Sequence, residues 1–217
     1  MNTKIIFSAF PLLIIAQTLL AQRSDTTKAV NLNEVEVTEK QTKLDPDRLP
    51  EVQGTIIYSG KKNEVINVGA LNADLSTNNP RQIFAKVPGV HIWENDGSGI
   101  QMGIATRGLS PNRSWEFNVR QNGYDISSEI FGYPEAYFSP PMEAVSTIEL
   151  VRGAASLQFG PQFGGLLNYV IKKGDANKPF VFETQQTTGS YGLFNSYNAV
   201  GGTYKNCLLY TSDAADE

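Results

Sequence analysis

The chain has 217 residues, of which 41% are hydrophobic and 19 are glycine, a composition that suits a folded, turn-rich protein and argues against disorder. Its formal net charge is -4, from 18 basic and 22 acidic residues, and the basic residues are scattered along the sequence. A chain whose Lys and Arg are neither in excess nor clustered is not expected to bind nucleic acid.

The first 21 residues have the pattern of a secretory signal peptide. Lys4 precedes a mostly apolar run over residues 5–20, and the small residue Ala21 stands at the expected cleavage point. The alternative is a membrane-spanning helix, which needs about 20 predominantly apolar residues. The run is interrupted by Ser8, Pro11, Gln17 and Thr18. We therefore predict a signal peptide over residues 1–21 and a mature chain that starts near Gln22.

Residues 22–44 form an N-terminal extension with one alternating segment, residues 32–38. Alternation of Val35 and Val37 with acidic residues predicts an extended strand without a local partner. This strand is either an ordinary edge strand or a segment that adds to a sheet of another protein, where backbone hydrogen bonds supply the affinity. The segment consists of Leu32, Asn33, Glu34, Val35, Glu36, Val37 and Thr38.

The next region contains a short strand and a helix. Thr55–Tyr58 is apolar enough for a short strand. Asn79 followed by Pro80 is typical of a helix N-terminus, with Asn as the capping residue and Pro at the first helical position. Pro88 and Gly89 are expected to end this helix. One face of the helix carries Ile83, Phe84 and Val87.

Strand and hairpin signals follow the helix. Val90–Trp93 is a predicted strand, and its His91 is the only histidine, without metal-ligand spacing nearby, so we expect a solvated or packed strand residue. Asn122-Gly123 is a strong signal for a two-residue hairpin. Phe117 and Val119 precede this turn, and Tyr124 and Ile126 follow it. An earlier alternating segment consists of Ile100, Met102 and Ile104.

Four later segments complete the pattern. Ile148–Val151 and Leu166–Ile171 are predicted strands, separated by a helical turn at residues 154–157. After Gly174, residues 180–190 and 193–205 flank a turn, and each is close to the roughly 9 to 11 residues of a tilted transmembrane strand. Their alternation is imperfect, so periodicity alone does not predict a barrel.

The last 11 residues, 207–217, break the preceding pattern and look like a translated sequencing adapter. We therefore expect a non-native tail and a natural sequence that ends, mid-strand, at Asn206; a divergent natural C-terminus is the alternative. The tail contributes three acidic residues, so its removal changes the formal charge from -4 to -1 (-4 plus 3). It also holds the only cysteine, Cys207, so disulfide or thiol chemistry is not expected.

Three sequence blocks stand out by their order and spacing. Residues 81–90 read RQIFAKVPGV, residues 105–109 read ATRGL, and residues 148–171 read IELVRGAASLQFGPQFGGLLNYVI. Together they resemble the plug domain of TonB-dependent outer-membrane receptors. Within that family, the Phe-Gly-Pro-Gln sequence at residues 159–162 resembles the ferric dicitrate receptor branch. The flanks of Asn122-Gly123 depart from the family pattern, which weakens the subfamily assignment.

The resemblance implies a fold. We expect an α/β plug domain, a small mixed sheet with short helices, over residues 45–174. Residues 175–206 would be the first strands of a large transmembrane antiparallel β-barrel, truncated here. In such proteins the plug closes the lumen of a barrel with about 22 strands.

The resemblance also implies a function. It predicts a receptor in the outer membrane of a Gram-negative bacterium that takes up a ferric chelate, ferric citrate or another siderophore. Its partners would be the chelate, outer-membrane lipid and the periplasmic TonB protein, which would bind residues 32–38 as a TonB box. Iron would enter only as part of the chelate, without a cofactor. The alternative is a soluble plug-like binding module of the periplasm or cell surface.

The candidate substrate site lies in two loops that resemble the externally facing plug loops of the family. Arg113 is the main candidate, because a guanidinium fork matches carboxylate oxygens bidentately. Asn112, Tyr133 and Tyr137 would surround it; ordinary exposed loop residues are the alternative for each. Arg107 and Arg152 resemble the buried plug arginines that pair with acids of the barrel wall.

We find no sequence signature of catalysis. The chain has one histidine, and it lacks a Gly-x-Ser-x-Gly elbow and a phosphate-binding loop. The sequence therefore predicts neither an enzyme nor a metal site.

Overall fold

The computed structural model describes residues 46–95, 97, 99–128, 131–153, 159–160, 163–205 and 207–216. The predicted signal peptide, the TonB box and the helical turn at 154–157 lie outside these ranges. The strands are β1 (Val52–Gln53), β2 (Ile56–Ile57), β3 (Asn63–Asn67), β4 (Val90–Glu94), β5 (Met102–Thr106), β6 (Phe117–Gln121), β7 (Tyr124–Asp125), β8 (Val145–Arg152), β9 (Gly165–Ile171), β10 (Val181–Thr188), β11 (Phe194–Tyr204) and β12 (Cys207–Asp216). The α-helix is α1 (Pro80–Ile83). In the described part of the chain, no helix is long and apolar enough to cross a membrane.

A mixed sheet forms the centre of the fold, with the strand order β3-β8-β9-β6-β7 among the described residues. β9 runs parallel to β6 and antiparallel to β8, and the other neighbours in this sheet are antiparallel. The described helices are single turns, and most of the chain between the strands runs as loops. The predicted small mixed sheet with short helices is therefore confirmed.

Each face of this sheet packs against a separate apolar cluster, because successive side chains of a strand point to opposite faces. Leu150 and Leu167 belong to the main core, with α1 and β5. Their neighbours Val151 and Leu166 belong to a second cluster, which also contains Tyr58. Tyr58 directly follows the β1–β2 hairpin, so this hairpin lies over the second face of the sheet.

Ionisation of Tyr58, in this second cluster, makes the stability of the fold depend on pH. Its side chain is 2% exposed. Burial and then the nearby Glu149 carboxylate raise the pKa of Tyr58 to about 12. In an unfolded chain tyrosine ionises near pH 10, so between about pH 10 and 12 the folded state holds a proton that the unfolded state has lost. The associated stability is complete below pH 10 and is lost as the pH rises through 12.

We expect Tyr58→Phe to reduce the loss of stability at alkaline pH. A difference of about two pKa units corresponds to roughly 2–3 kcal/mol of unfolding free energy. Urea unfolding at a series of pH values from about 8 to 12 measures this difference between wild type and variant. Parallel curves for the two proteins would show that Tyr58 is not responsible.

The helix is confirmed at its start and is shorter than predicted at its end. The Asn79 side chain accepts a hydrogen bond from Gln82 N, and Pro80 occupies the first position. The α-helix ends at Ile83, and Val87 N bonds to Phe84 O at 3.0 Å, an i to i−3 bond. The chain tightens there because a residue before proline disfavours α geometry, and Pro88 follows Val87. The predicted apolar face is buried all the same: Ile83, Phe84 and Val87.

The hairpin signal is confirmed. Asn122 and Gly123 connect β6 to β7, with φ of 51° and 83°. Two consecutive positive φ values define a type I′ turn, which Asn-Gly adopts readily. The Asn122 side chain also accepts a hydrogen bond from Ile171 N at 2.9 Å, so the turn is fixed to the end of β9.

The strands after Gly174 form an antiparallel sheet of the order β10-β11-β12 in the described residues. The first two confirm the predicted pair of strands, with a turn at Ser190–Gly192. This pair does not stand alone, because Asn195 Nδ2 donates to Ser76 O at 3.0 Å and Lys172 Nζ lies 2.6 Å from Glu183 Oε1. Tyr197 is also fully buried, in a cluster with Ala144.

The C-terminal residues continue the sheet of β10 and β11. β11 ends at Tyr204. Asn206, where the natural sequence is predicted to end, lies outside the described residues. Residues 207–216 form β12, which pairs with β11 from Tyr204↔Cys207 to Asn195↔Asp216. The adapter origin of residues 207–217 stays a prediction.

Candidate ligand-binding loops

Three loops of the mixed-sheet domain are in contact, and we call their described residues the loop cluster: 99–101, 110–116, 127–128 and 131–139. Backbone hydrogen bonds hold them together. Ala136 N donates to Arg113 O at 2.9 Å, and Ser139 N donates to Ile100 O at 2.8 Å. The third loop is closed on itself by Ser128 N, which donates to the O atom of Glu135 at 2.9 Å. The loop cluster is therefore a defined surface.

The middle loop is anchored to β5 by Ser114. The Ser114 hydroxyl is buried, donates to Met102 O at 3.0 Å and accepts from Ile104 N at 3.1 Å. Gly103 lies between these two partners, and a Cβ atom there would overlap the Pro111 carbonyl oxygen. The loop can approach β5 this closely because residue 103 has no side chain.

The backbone at the centre of the loop cluster is strained. Arg113 has φ 49° and ψ 26°, and Ser114 has φ 53°. Non-glycine residues in the left-handed region are uncommon, and each costs of order 1–3 kcal/mol unless its surroundings fix it. Here the Ser114 hydroxyl and the Ala136–Arg113 bond fix it. Such strain is concentrated at functional sites, which supports a role for this loop.

Arg113 is paired within the loop cluster. Its Nη1 atom lies 3.1 Å from Glu135 Oε2 and 3.2 Å from the Tyr137 hydroxyl. The guanidinium also stacks on the Tyr137 ring, 5.1 Å from its centroid. Tyr137 in turn donates a hydrogen bond to the same Glu135 oxygen. Arg113, Glu135 and Tyr137 therefore form one connected group, the Arg–Glu–Tyr triad.

The triad changes the acidity of its members. The hydrogen bond from Tyr137, and then that from Arg113, holds the pKa of Glu135 below its usual range. The same bond to Glu135 raises the pKa of Tyr137. Glu135 is thus an anion and Tyr137 a neutral donor at neutral pH. The Glu135 side chain is 13% exposed and that of Arg113 is 45% exposed, so Arg113 is the more accessible partner of this ion pair.

The structure brings together part of the predicted site. Arg113 and Tyr137 are in contact, and Asn112 is the exposed neighbour of Arg113 in the 3₁₀ turn Asn112–Ser114. Tyr133 lies in the same loop as Tyr137 and is 58% exposed. Glu135 was missed, although it is the only acid between residues 131 and 138. Other exposed aromatic residues of the loop cluster are Trp115, Phe131 and Phe138.

The two predicted structural arginines have different environments. Arg152 is largely buried and pairs with Glu64, with 2.6 Å between Nη2 and Oε2. Its observed partner thus belongs to the same domain, on β3. Arg107 is exposed in this chain; its pairing with an acid of the barrel wall stays a prediction. Its guanidinium lies against Gly153, about 3.1 Å from the position of a Cβ atom there.

His91 is an exposed strand residue, paired with Ala105 across the β4–β5 hairpin, as the sequence suggested. Within the described ranges, no three His, Cys, Asp or Glu side chains are grouped closely enough to hold a metal ion.

Comparison with known proteins agrees with this architecture. Residues 61–166 match the family model described as TonB-dependent Receptor Plug Domain. The mixed-sheet domain is therefore similar to a plug domain, and the strands β10, β11 and β12 follow the matched residues. No curated protein gives a significant match.

Solved structures show the same fold. The unliganded ferric citrate transporter FecA has a TM-score of 0.52 and 24% identity over 71% of this chain and 25% of its own. The ferripyoverdine receptor of Pseudomonas aeruginosa has a TM-score of 0.55 and 18% identity over 77% of this chain and 22% of its own. BauA, the ferric preacinetobactin receptor of Acinetobacter baumannii, has a TM-score of 0.54 and 18% identity over 72% of this chain and 22% of its own.

This chain spans about a quarter of the length of the structures that it matches. The family model and these structures are named for receptors and transporters and not for enzymes, in agreement with the sequence.

Proposed function

We propose that this chain is part of a TonB-dependent outer-membrane receptor that takes up a ferric chelate, with ferric citrate as the first candidate. The observation that carries the proposal is the loop cluster, which gathers Arg113 and Tyr137 on an exposed surface of a plug domain. Three of the similar structures are named for ferric citrate, ferric preacinetobactin and ferripyoverdine. The strands β10 and β11 favour a receptor over a separate plug-like binding module.

The ligand would bind Arg113 through its carboxylate oxygens. A guanidinium offers two parallel N–H donors, and Arg113 directs one of them, Nη1, at Glu135. The Arg113 side chain is 45% exposed, so a ligand can reach it from solvent. Tyr133 and Trp115 would line the approach with exposed aromatic surface.

Uptake would be driven from the periplasm. In this proposal a TonB protein pairs with residues 32–38 as an added strand and pulls on the plug, which rearranges to open a path. Energy would come from the inner-membrane proton gradient through that partner, so the receptor itself needs no nucleotide site. The ferric chelate is cargo and leaves the protein unchanged.

Arg113→Ala in the full-length receptor is expected to weaken ferric citrate binding roughly ten- to hundredfold, the effect of losing a hydrogen bond between charged groups. Arg113→Lys should restore only part of it, because an ammonium keeps the charge and loses the fork. Isothermal titration calorimetry at one fixed ionic strength measures both, since exposed charges are screened over about 8 Å in physiological salt.

Arg81→Ala is the matched control. Arg81 is an exposed arginine that pairs with Glu94 at 3.1 Å, outside the loop cluster. It should leave the affinity unchanged. Equal affinities of wild type and Arg113→Ala would remove Arg113 from the site, and binding of haem or cobalamin in place of ferric citrate would refute the substrate.

A further inference from the structure

Glu135 occupies the position on Arg113 that a ligand carboxylate would take. One of its oxygens, Oε2, accepts hydrogen bonds from both Arg113 Nη1 and the Tyr137 hydroxyl. Both donors are side chains of the loop cluster. The carboxylate lies on the inner side of the triad, at 13% exposure. In this state the charge of Arg113 is already balanced.

A ligand anion can replace the Glu135 carboxylate while the two loops stay joined to each other. The backbone of the two loops is joined by the bond from Ala136 N to Arg113 O, which does not involve the Glu135 side chain. The Tyr137 ring stacks on the guanidinium, and this contact does not involve the Glu135 carboxylate either. Departure of that carboxylate from Arg113 therefore breaks neither contact.

Two anions compete at one guanidinium. A carboxylate that arrives at Arg113 gains a charge-assisted bond, and it meets the repulsion of Glu135 a few ångströms away as long as that acid stays. A ligand with several carboxylates gains more binding free energy from Arg113 than it loses through repulsion by Glu135. A ligand without a carboxylate gains no such charge-assisted bond. Glu135 thus makes binding at Arg113 selective for polyanionic chelates over uncharged ones.

Resting on the proposed function of the loop cluster, we propose that Glu135 is an internal counter-anion of Arg113 that determines specificity. An anionic chelate binds by replacing the Glu135 carboxylate on Arg113 Nη1 and the Tyr137 hydroxyl. Glu135 sets a threshold of negative charge that the ligand has to exceed. The class of ligand that this arrangement selects is a ferric polycarboxylate.

Glu135→Gln in the full-length receptor tests this proposal, because an amide keeps the shape and an acceptor and removes the competing charge. We expect the affinity for ferric citrate to rise about fivefold or more, the factor that corresponds to the loss of one exposed ion pair. The affinity for a ferric trihydroxamate without carboxylates should not change. Glu94→Gln, the acid of the Arg81 ion pair, is the matched control and should leave both affinities unchanged.

A second measurement does not depend on the ligand. Phenylglyoxal modifies accessible guanidinium groups, and mass spectrometry of the digested protein gives the rate at Arg113. The rate should be low in wild type and higher in Glu135→Gln, with no change at Arg81.

The outcomes separate the two proposals. Unchanged or weaker ferric citrate binding by a folded Glu135→Gln protein would overturn the counter-anion, as would an unchanged phenylglyoxal rate at Arg113. If no variant binds ferric citrate, the proposed substrate is wrong. The phenylglyoxal rates then decide alone whether Glu135 occupies Arg113.

Discussion

Gly103→Ala is expected to destabilise the domain by about 1–3 kcal/mol or more, the range for overpacking a close contact. Gly103 is the central residue of β5, where all five residues are buried. A Cβ atom would overlap the Pro111 carbonyl oxygen and lie 3.2 Å from Trp93 O, and both obstacles are backbone atoms that cannot rotate away. Relief requires that the loop 110–116 moves off the strand.

The same change should disrupt the loop cluster. Ser114 N donates to Pro111 O at 3.1 Å, and the Ser114 hydroxyl holds the strained turn to the residues on both sides of Gly103. Displacement of Pro111 would release these bonds and move Arg113. Chemical unfolding measures the stability, and ligand titration of the folded fraction measures the site.

Gly97→Ala is the matched control, because an added Cβ atom at Gly97 meets no atom within 4 Å. It should change neither the stability nor the ligand affinity. If Gly103→Ala were as stable as wild type and bound ligand equally well, the close approach of the loop to β5 would be wrong.

Local features of the fold were predictable because neighbours in sequence decide them. The Asn79 cap needs only a side-chain oxygen and the N–H groups that follow it, and Pro80 fixes the φ of the first helical residue. The turn at Asn122-Gly123 needs only two residues that tolerate positive φ. The strands that were predicted from their apolar pattern are present, with ends that differ by up to three residues, whereas β1, β3 and β12 were not predicted.

The pairing of distant segments was not predictable from one sequence. β6 lies parallel to β9, and the residues that pair, such as Phe117 and Gly165, are far apart in the chain. The partner of Arg152 is Glu64, 88 residues away. Charge alone does not choose among 22 acids, so these partners follow from the sheet order and not from spacing.

The candidate site was predicted in part for the same reason. Arg113 and Tyr137 were recognised by residue type, as a fork for carboxylates and an aromatic neighbour. Glu135 was missed because it acts on a residue 22 positions earlier, through a bond that exists only when the two loops are joined. The strained backbone of Arg113 was also invisible, since arginine has no sequence preference for positive φ. The contact between the two loops, which brings Glu135 to Arg113, could not be predicted from the sequence.

Val35→Pro is expected to abolish binding of the receptor to the periplasmic domain of a TonB protein. If residues 32–38 add as a strand to that partner, each inward backbone N–H donates to the partner's edge. Proline removes the donor at position 35 and fixes φ near −65°. The segment lies outside the residues that the structure describes, so this prediction rests on the alternation of Val35 and Val37 with acids.

Two further variants separate backbone from side-chain recognition in the same pull-down assay. Val35→Ala keeps the N–H group and removes only two methyl groups, so it should retain most of the binding. Glu36→Gln, on the opposite face of the strand, should matter least. Loss of binding in both valine variants would assign recognition to the side chain of Val35 and not to backbone pairing. Unchanged binding of Val35→Pro would place the TonB box elsewhere in the chain, while the plug fold and the loop cluster around Arg113 would stand.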